Sequence, residues 1–264
     1  ALTQATQTAT ELERLTGDKF VLEIIKTTGD LNTTAPLWQT PGQNFFTKEL
    51  DEVLLAKKVD LVIHSYKDLG TERPAGISLA AVTKRQFPHD ILLINKNILH
   101  NDFRYSSTTL KIGTSSPRRI VNLTRSLKSV LPAQLKEMNI ELVPLRGNVN
   151  TRIGKVHSQE LDGVVLALAG VERLSLMPSS LAEIRPLIEN LQFMVLPVTV
   201  FTPAAAQGAL AIECLQNRND KDELLNKIKS IHHQETADEI SRERIAFREY
   251  GGGCHLAVGI YVRK

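Results

Sequence analysis

The chain has 264 residues, enough for a sizeable core and for one large domain or two ordinary ones. Apolar residues make up 42%, charged residues 23% and aromatics 5%, which excludes intrinsic disorder and lacks the stacking inventory of a single-strand nucleic-acid binder. A formal charge of +3 suits small anionic substrates and is too weak and scattered to argue for nucleic acid.

No apolar run approaches a membrane span, and ALTQATQTATELERLTG lacks the basic-then-apolar order of a signal peptide, so no membrane partner and a cytoplasmic location are expected. Residues 1–16 read as a helix closed by Gly17. FVLEIIKTT reads as a strand, TKELDEVLLAKK as a helix, and DLVIHSY as a strand buried on both faces; ISLAAVT and DILLINK follow as strands. A polar region, about 97–109, precedes KIGTSS, a second strand running into a helix. IELVPLR, the helix NTRIGKVHSQ, the strand GVVLALA and a helical stretch around ERL come next. After PVTVFTP and the small-residue run AAAQGALAIEC, two charged helices are expected at roughly 221–233 and 235–250, the second ending at three glycines. Apolar runs alternating with amphipathic ones predict an α/β protein with largely parallel, doubly covered sheets.

Metal chemistry is not expected. Cys214 and Cys254 lack ligand spacing, and His232 and His233 are adjacent in a predicted helix, where their rings diverge. The nucleotide loops GxGxxG and GxxxxGK[ST] are absent.

Arginine placement is more informative. In KIGTSSPRRIVNL, Ser116 is a good N-cap and Pro117 suits the first helical position, so Arg118 and Arg119 open a helix. Cations there oppose the helix dipole at a cost of a few tenths to about 1 kcal/mol, which implies a compensating anion. Thr114, Ser115 and Ser116 add hydroxyl donors beside them. Arg146 ends another strand before a Gly-Asn turn, Arg152 lies in the next helix, and Arg173 follows a third strand. Ligands of open α/β sheets bind at the carboxyl ends of strands, and arginine forks favour carboxylates, so these residues point to a cleft for a ligand with several carboxylates. Lys67 and Asp68 sit at the end of DLVIHSY; alone they would be a surface ion pair, but beside a cation cluster Asp68 could stabilise developing positive charge.

Taken together and in this order, HSYKDL, GTSSPRR, RGNVNTR, AGVERL, AAAQGALAIEC and GGGCH resemble the hydroxymethylbilane synthase (porphobilinogen deaminase) family over almost the whole chain. The resemblance implies two periplasmic-binding-protein-like lobes with mixed, largely parallel sheets, and a small α+β C-terminal domain. Residues 1–84 with 200–218 would form the first lobe, without the family's first strand and its Arg-x-Ser segment. Residues 87–196 would form the second, and 221–264 the start of the C-terminal domain. It implies a monomeric transferase of heme biosynthesis that condenses four porphobilinogen molecules, releasing ammonia, on a dipyrromethane primer bound covalently to Cys254. In this reading Lys67, Thr114, Ser115, Ser116, Arg118, Arg119, Arg146, Arg152 and Arg173 hold primer and chain carboxylates. Asp68 is the catalytic carboxylate, and Phe46 lies in the substrate region. The chain departs from the family at Gln43, Gly70 and Pro117. A two-lobed anion-binding module or an inactive homologue are the alternatives; GGGCH argues against the first, which needs no cysteine there.

Overall fold

The structure, a computed structural model, describes residues 2–27, 47–99, 109–218, 220–252 and 256–263. Gln43, Phe46 and Cys254, together with most of the polar region 97–109, lie outside the described residues.

Helix α1 (Leu2–Thr16) ends at Gly17, whose φ of +75° takes the left-handed conformation that closes helices. Helix α2 (Lys48–Leu55) leads to strand β1 (Val62–Ser65), a single 3-10 turn at Tyr66–Asp68, and strand β2 (Ile77–Val82). The chain then enters a second sheet at strand β3 (Asp90–Asn95), followed by the short helix α3 (Lys96–Leu99) and strand β4 (Thr109–Gly113). Helix α4 (Pro117–Val130), the short α5 (Ala133–Lys136) and strand β5 (Asn139–Val143) come next. They lead to helix α6 (Val149–His157), strand β6 (Gly163–Ala167), helix α7 (Leu168–Leu176), helix α8 (Pro178–Ile188) and strand β7 (Leu191–Leu196). Strand β8 (Leu210–Leu215) returns to the first sheet, and helices α9 (Lys221–Ile228) and α10 (Gln234–Glu249) follow.

The first sheet has the order β1-β8-β2 and the second β5-β4-β6-β3-β7. The α/β class and mixed sheets are as expected, but among the described residues parallel pairing is confined to β4 with β5 and β4 with β6. The strands that cross between sheets account for the difference: β8 runs against both β1 and β2, and β3 against both β6 and β7.

Strand β3 is buried on both faces. Leu92 and Ile94 join Leu110, Ile112, Leu123 and Leu127 on one side, while Ile91 and Leu93 join Ile153, Val156, Val164 and Ile184 on the other. Each such side chain contributes about 1.5–3 kcal/mol, which explains a strand written as an unbroken apolar run. Strand β1 differs from expectation: Val62 and His64 are buried, whereas Ile63 and Ser65 are only partly so.

FVLEIIKTT, predicted as a strand, has no strand structure through its described residues, and Val21 and Ile24 are 83% and 70% exposed. A segment rich in β-branched residues suits a strand, but a strand forms only with a ladder partner, and none is present among the described residues. The two histidines do not share a helix. His232 follows a 3-10 turn, and His233 caps α10 by accepting from Thr236 N. Helix α8 and strand β7 were not anticipated; Pro186 inside the helix obscured its pattern.

Two crossovers, 83–89 and 197–209, join the sheets and are stitched together by Thr83 N to Leu210 O (3.1 Å) and Gln86 N to Gly208 O (3.0 Å). Gly208 has φ +98°, and a Cβ there would lie 2.5 Å from Gln86 O, so only glycine permits this approach.

Candidate active site

The helix start behaves as its sequence requires. Ser116 Oγ accepts from Arg119 N at 3.5 Å, and Pro117 occupies the first turn. What the sequence did not reveal is where the two guanidiniums go. Both turn back onto the first residue of β3: Arg118 Nη1 donates to Asp90 Oδ2 at 2.8 Å, and Arg119 donates to Asp90 Oδ1 from Nε at 3.1 Å and Nη2 at 2.8 Å. Arg118 also reaches Thr202 O (2.8 Å), and Arg119 reaches Val165 O (3.1 Å). Burial pushes the Asp90 carboxyl up, but Arg119 and Arg118 outweigh it and hold Asp90 well below the usual carboxylate range. The anion inferred from the helix start is therefore partly internal: one carboxylate serves two arginines, leaving a net positive charge.

Gln207 connects this group to the first sheet. Fully buried on the return crossover, it donates from Nε2 to Pro88 O (2.6 Å) and Asp90 Oδ1 (3.0 Å), and its Oε1 accepts from Lys67 Nζ at 3.4 Å. Lys67 and Asp68 share the 3-10 turn after β1, fixed at its entrance by Tyr66 N to Ala209 O at 3.1 Å. Burial draws Lys67 down to about 8; Asp68 opposes this, and Arg119 and Arg118 add to it. Lys67 retains some surface open to water, so crowding of its amine by protein, and not complete closure, lies behind the low value. The Asp68 carboxylate is exposed.

Arg152, on α6, completes the group. Burial lowers it to about 10, with Arg119 and Arg146 adding repulsion and Asp68 opposing them; its Nε donates to Gly147 O at 2.7 Å. Arg119 thus acts on both Lys67 and Arg152, Arg118 on Lys67 and Arg146 on Arg152, while Asp68 attracts Lys67 and Arg152 and Asp90 pairs with Arg118 and Arg119.

The remaining predicted residues take more local roles. Ser115 Oγ donates to Leu145 O and accepts from Leu145 N, both at 2.6 Å, tying the β4 loop to the residue before Arg146. Thr114 Oγ1 accepts from Ser116 N at 3.4 Å, so the three hydroxyls shape the loop that presents the arginines. Arg173 is buried on α7, lowered to about 10 by burial, and its Nη2 donates to Gly208 O at 2.6 Å. It braces the crossover one residue beyond Gln207. Sequence reasoning missed Asp90 and Gln207. A lone acid opening an otherwise apolar strand was the available signal for Asp90; Gln207 gave none.

A second charged group lies near the same turn. Arg73 bonds Glu213 from Nε and Nη2 (2.7 Å each) and also bonds Asp51, while His64 Nε2 lies 3.1 Å from Glu213 Oε2. Asp51, His64 and Glu213 have metal-ligand composition and are close together, but the Arg73 guanidinium already supplies the counter-charge to both carboxylates.

The family model described as "Porphobilinogen deaminase, dipyromethane cofactor binding domain" matches residues 1–223. The chain belongs to the porphobilinogen deaminase family. The porphobilinogen deaminase of Syntrophomonas wolfei is 38% identical over 98% of this chain and 76% of its own length, and that of Syntrophus aciditrophicus is 36% identical over 100% and 78%. Among solved structures, the substrate-binding protein of an amino acid ABC transporter covers 94% of this chain and 82% of its own, with 11% identity and a TM-score of 0.38, too low to carry weight.

The residues present fit the cofactor named for this porphobilinogen deaminase domain. A dipyrromethane carries several carboxylates, and Arg118 and Arg119, which share the single Asp90 carboxylate, leave a positive surplus that such a polyanion would relieve. Cys214 is fully buried in β8 with its Sγ 3.7 Å from Ser78 Oγ, a core position without space for a bulky adduct.

Proposed function

We propose that Asp68 is the catalytic carboxylate of this porphobilinogen deaminase and that Lys67, Arg118, Arg119, Arg146 and Arg152 bind the carboxylates of cofactor and substrate. The chain is a transferase of tetrapyrrole biosynthesis that joins porphobilinogen units, with loss of ammonia, into hydroxymethylbilane. The observation that supports the residue assignment is the hydrogen-bond chain from Lys67 through Gln207 and Asp90 to Arg118 and Arg119, which links the turn after β1 in the first sheet to the arginines of the second.

When bound, the dipyrromethane supplies the starting pyrrole on which units are added; Cys254 is its attachment point in this reading, with Thr114, Ser115, Ser116 and Arg173 shaping the binding surface and Phe46 beside the substrate. Substrate acetate and propionate groups dock on the arginines, which orients the pyrrole for reaction. Loss of ammonia leaves positive charge on the substrate ring, and Asp68 stabilises that charge, accepts from the pyrrole N–H and assists proton transfer. The Asp90–Gln207 bridge keeps Lys67 and the paired arginines in fixed relation while the chain grows.

We also infer the lobe division 1–84 with 200–218, and 87–196, with 221–264 beginning a further domain. The sheet membership of β1, β2 and β8 against β3–β7 supports it. The same reading makes the protein a cytoplasmic monomer acting on a small molecule, with neither nucleic acid nor membrane as partner. Among the described residues no helix is long and apolar enough to cross a membrane.

Protein from a host that makes porphobilinogen should carry a dipyrromethane mass at Cys254, absent from Cys254→Ser and never at Cys214. Asp68→Asn should keep that mass and the fold while turnover falls by roughly 100-fold or more. Near-normal turnover in Asp68→Asn would remove Asp68 from the mechanism.

A further inference from the structure

The Asp68 carboxylate reaches open space, so its position is set by the backbone of its turn, and that backbone is held from outside the sheet. Arg244, on α10, donates from Nη1 to Leu69 O at 2.9 Å and from Nη2 to Gly70 O at 2.5 Å, the two residues after Asp68. Its guanidinium carbon also lies 4.7 Å from the ring centroid of Tyr66, the first residue of the same turn. One side chain therefore grips the turn on both sides of Lys67 and Asp68. A partly desolvated cation over an aromatic face attracts the ring quadrupole, and two bonds from a charged donor add to that hold. Burial lowers Arg244, partly offset by Tyr66 and Glu213, so it remains a cation held largely by carbonyl oxygens and a ring.

The helix that carries Arg244 is itself anchored. Glu243, fully buried, accepts from Arg85 Nη1 (2.9 Å), Ala206 N (2.7 Å) and Val262 N (2.9 Å), which fastens α10 to both crossovers. Past its C-terminus, Gly252 has φ +51° and sits so close to Thr71 that a Cβ would lie 2.7 Å from Thr71 Oγ1. Residues 69–71 are thus touched twice by the segment that leads, two positions later in sequence, to Cys254.

The geometry points to Arg244 as a positioning residue for the deaminase reaction, fixing the Lys67–Asp68 turn against the helix that precedes the cofactor cysteine. This rests on the assignment of Asp68 as the catalytic carboxylate. Arg244 touches no reacting atom; it acts through the Leu69 and Gly70 carbonyls and the Tyr66 ring. Release of that grip lets the turn shift by a fraction of an ångström to an ångström, and misplacement of about 1 Å costs up to roughly 100-fold in rate.

The test uses cofactor-loaded enzyme and measures porphobilinogen consumption for Arg244→Met, Arg244→Lys, Tyr66→Phe and Tyr66→Leu, with Arg242→Met as a control on the opposite, exposed side of the same helix. Arg244→Met is expected to lose about 30- to 100-fold in kcat with KM changed less than about threefold, and to keep its covalent cofactor mass. Arg244→Lys, which keeps the charge but not the fork, should recover only part of this; Tyr66→Phe should be near normal and Tyr66→Leu intermediate. If Arg244→Met does not fold, the Lys and Leu variants give the same reading. A kcat within threefold of the parent in Arg244→Met, or in Arg244→Lys and Tyr66→Leu together, overturns the inference, as does an equal loss in Arg242→Met. Asp68→Asn is measured alongside: its normal turnover would bring down the Asp68 assignment, whereas its failure beside an active Arg244→Met would bring down the positioning role alone.

Discussion

Replacing Asp90 by asparagine isolates the charge that two buried arginines share. Asp90 is 1% exposed, and its two oxygens accept from Arg118, from Arg119 twice and from Gln207. The amide keeps the shape, but it removes the negative charge and turns an NH2 toward guanidinium donors. Removing one partner of a buried ion pair costs about 3–5 kcal/mol, since the remaining charge is left without compensation. For a chain of this size that is a fall in melting temperature of roughly 6–20 °C. The pH dependence has a definite sign. Asp90 is depressed in the folded state, so its stabilisation is present above the unfolded value of about 3.9 and is lost as pH falls through the folded one. The parent should therefore exceed Asp90→Asn by the full margin at pH 7, with the gap narrowing below about pH 4. Thermal melts followed by near-ultraviolet circular dichroism at pH 7 and pH 3 measure both. A difference under about 1 kcal/mol at pH 7, or a gap equal at the two pH values, would refute the picture of Asp90 as the shared counter-ion.

Two other expectations concern the same region. Lys67, lowered to about 8, should lose its charge as pH rises through that value. KM for porphobilinogen should therefore climb between pH 7 and 9 in the parent and stay flat in Lys67→Arg; a flat parent profile would show that Lys67 does not hold substrate carboxylates. Gly208→Ala forces a side chain into φ +98° and onto Gln86 O, a backbone cost of about 1–3 kcal/mol before the clash is counted, whereas Gly17→Ala at φ +75° meets nothing within 4 Å. Urea midpoints should fall clearly further for Gly208→Ala than for Gly17→Ala, and equal midpoints would show that the crossover adapts.

Local patterns in the sequence determined much of this protein. The N-cap and proline before Arg118 set that helix start, the run DILLINK read as a strand, and Gly17 marked a helix end, because capping, local propensity and backbone freedom act within a few residues; two-sided burial, expected of DLVIHSY, fell to DILLIN instead. The motif order carried the family. Tertiary structure alone decided which charges meet. Nothing near Arg118 in the chain identifies Asp90, 28 residues earlier, as the counter-ion of both arginines, or Gln207, 117 residues beyond Asp90, as the link from it to Lys67. FVLEIIKTT shows the same limit from the other side: its β-branched composition suits a strand, yet Val21 and Ile24 remain in solvent. A strand or an ion pair is completed by a partner that the local chain does not contain, and only the fold brings that partner within hydrogen-bonding distance.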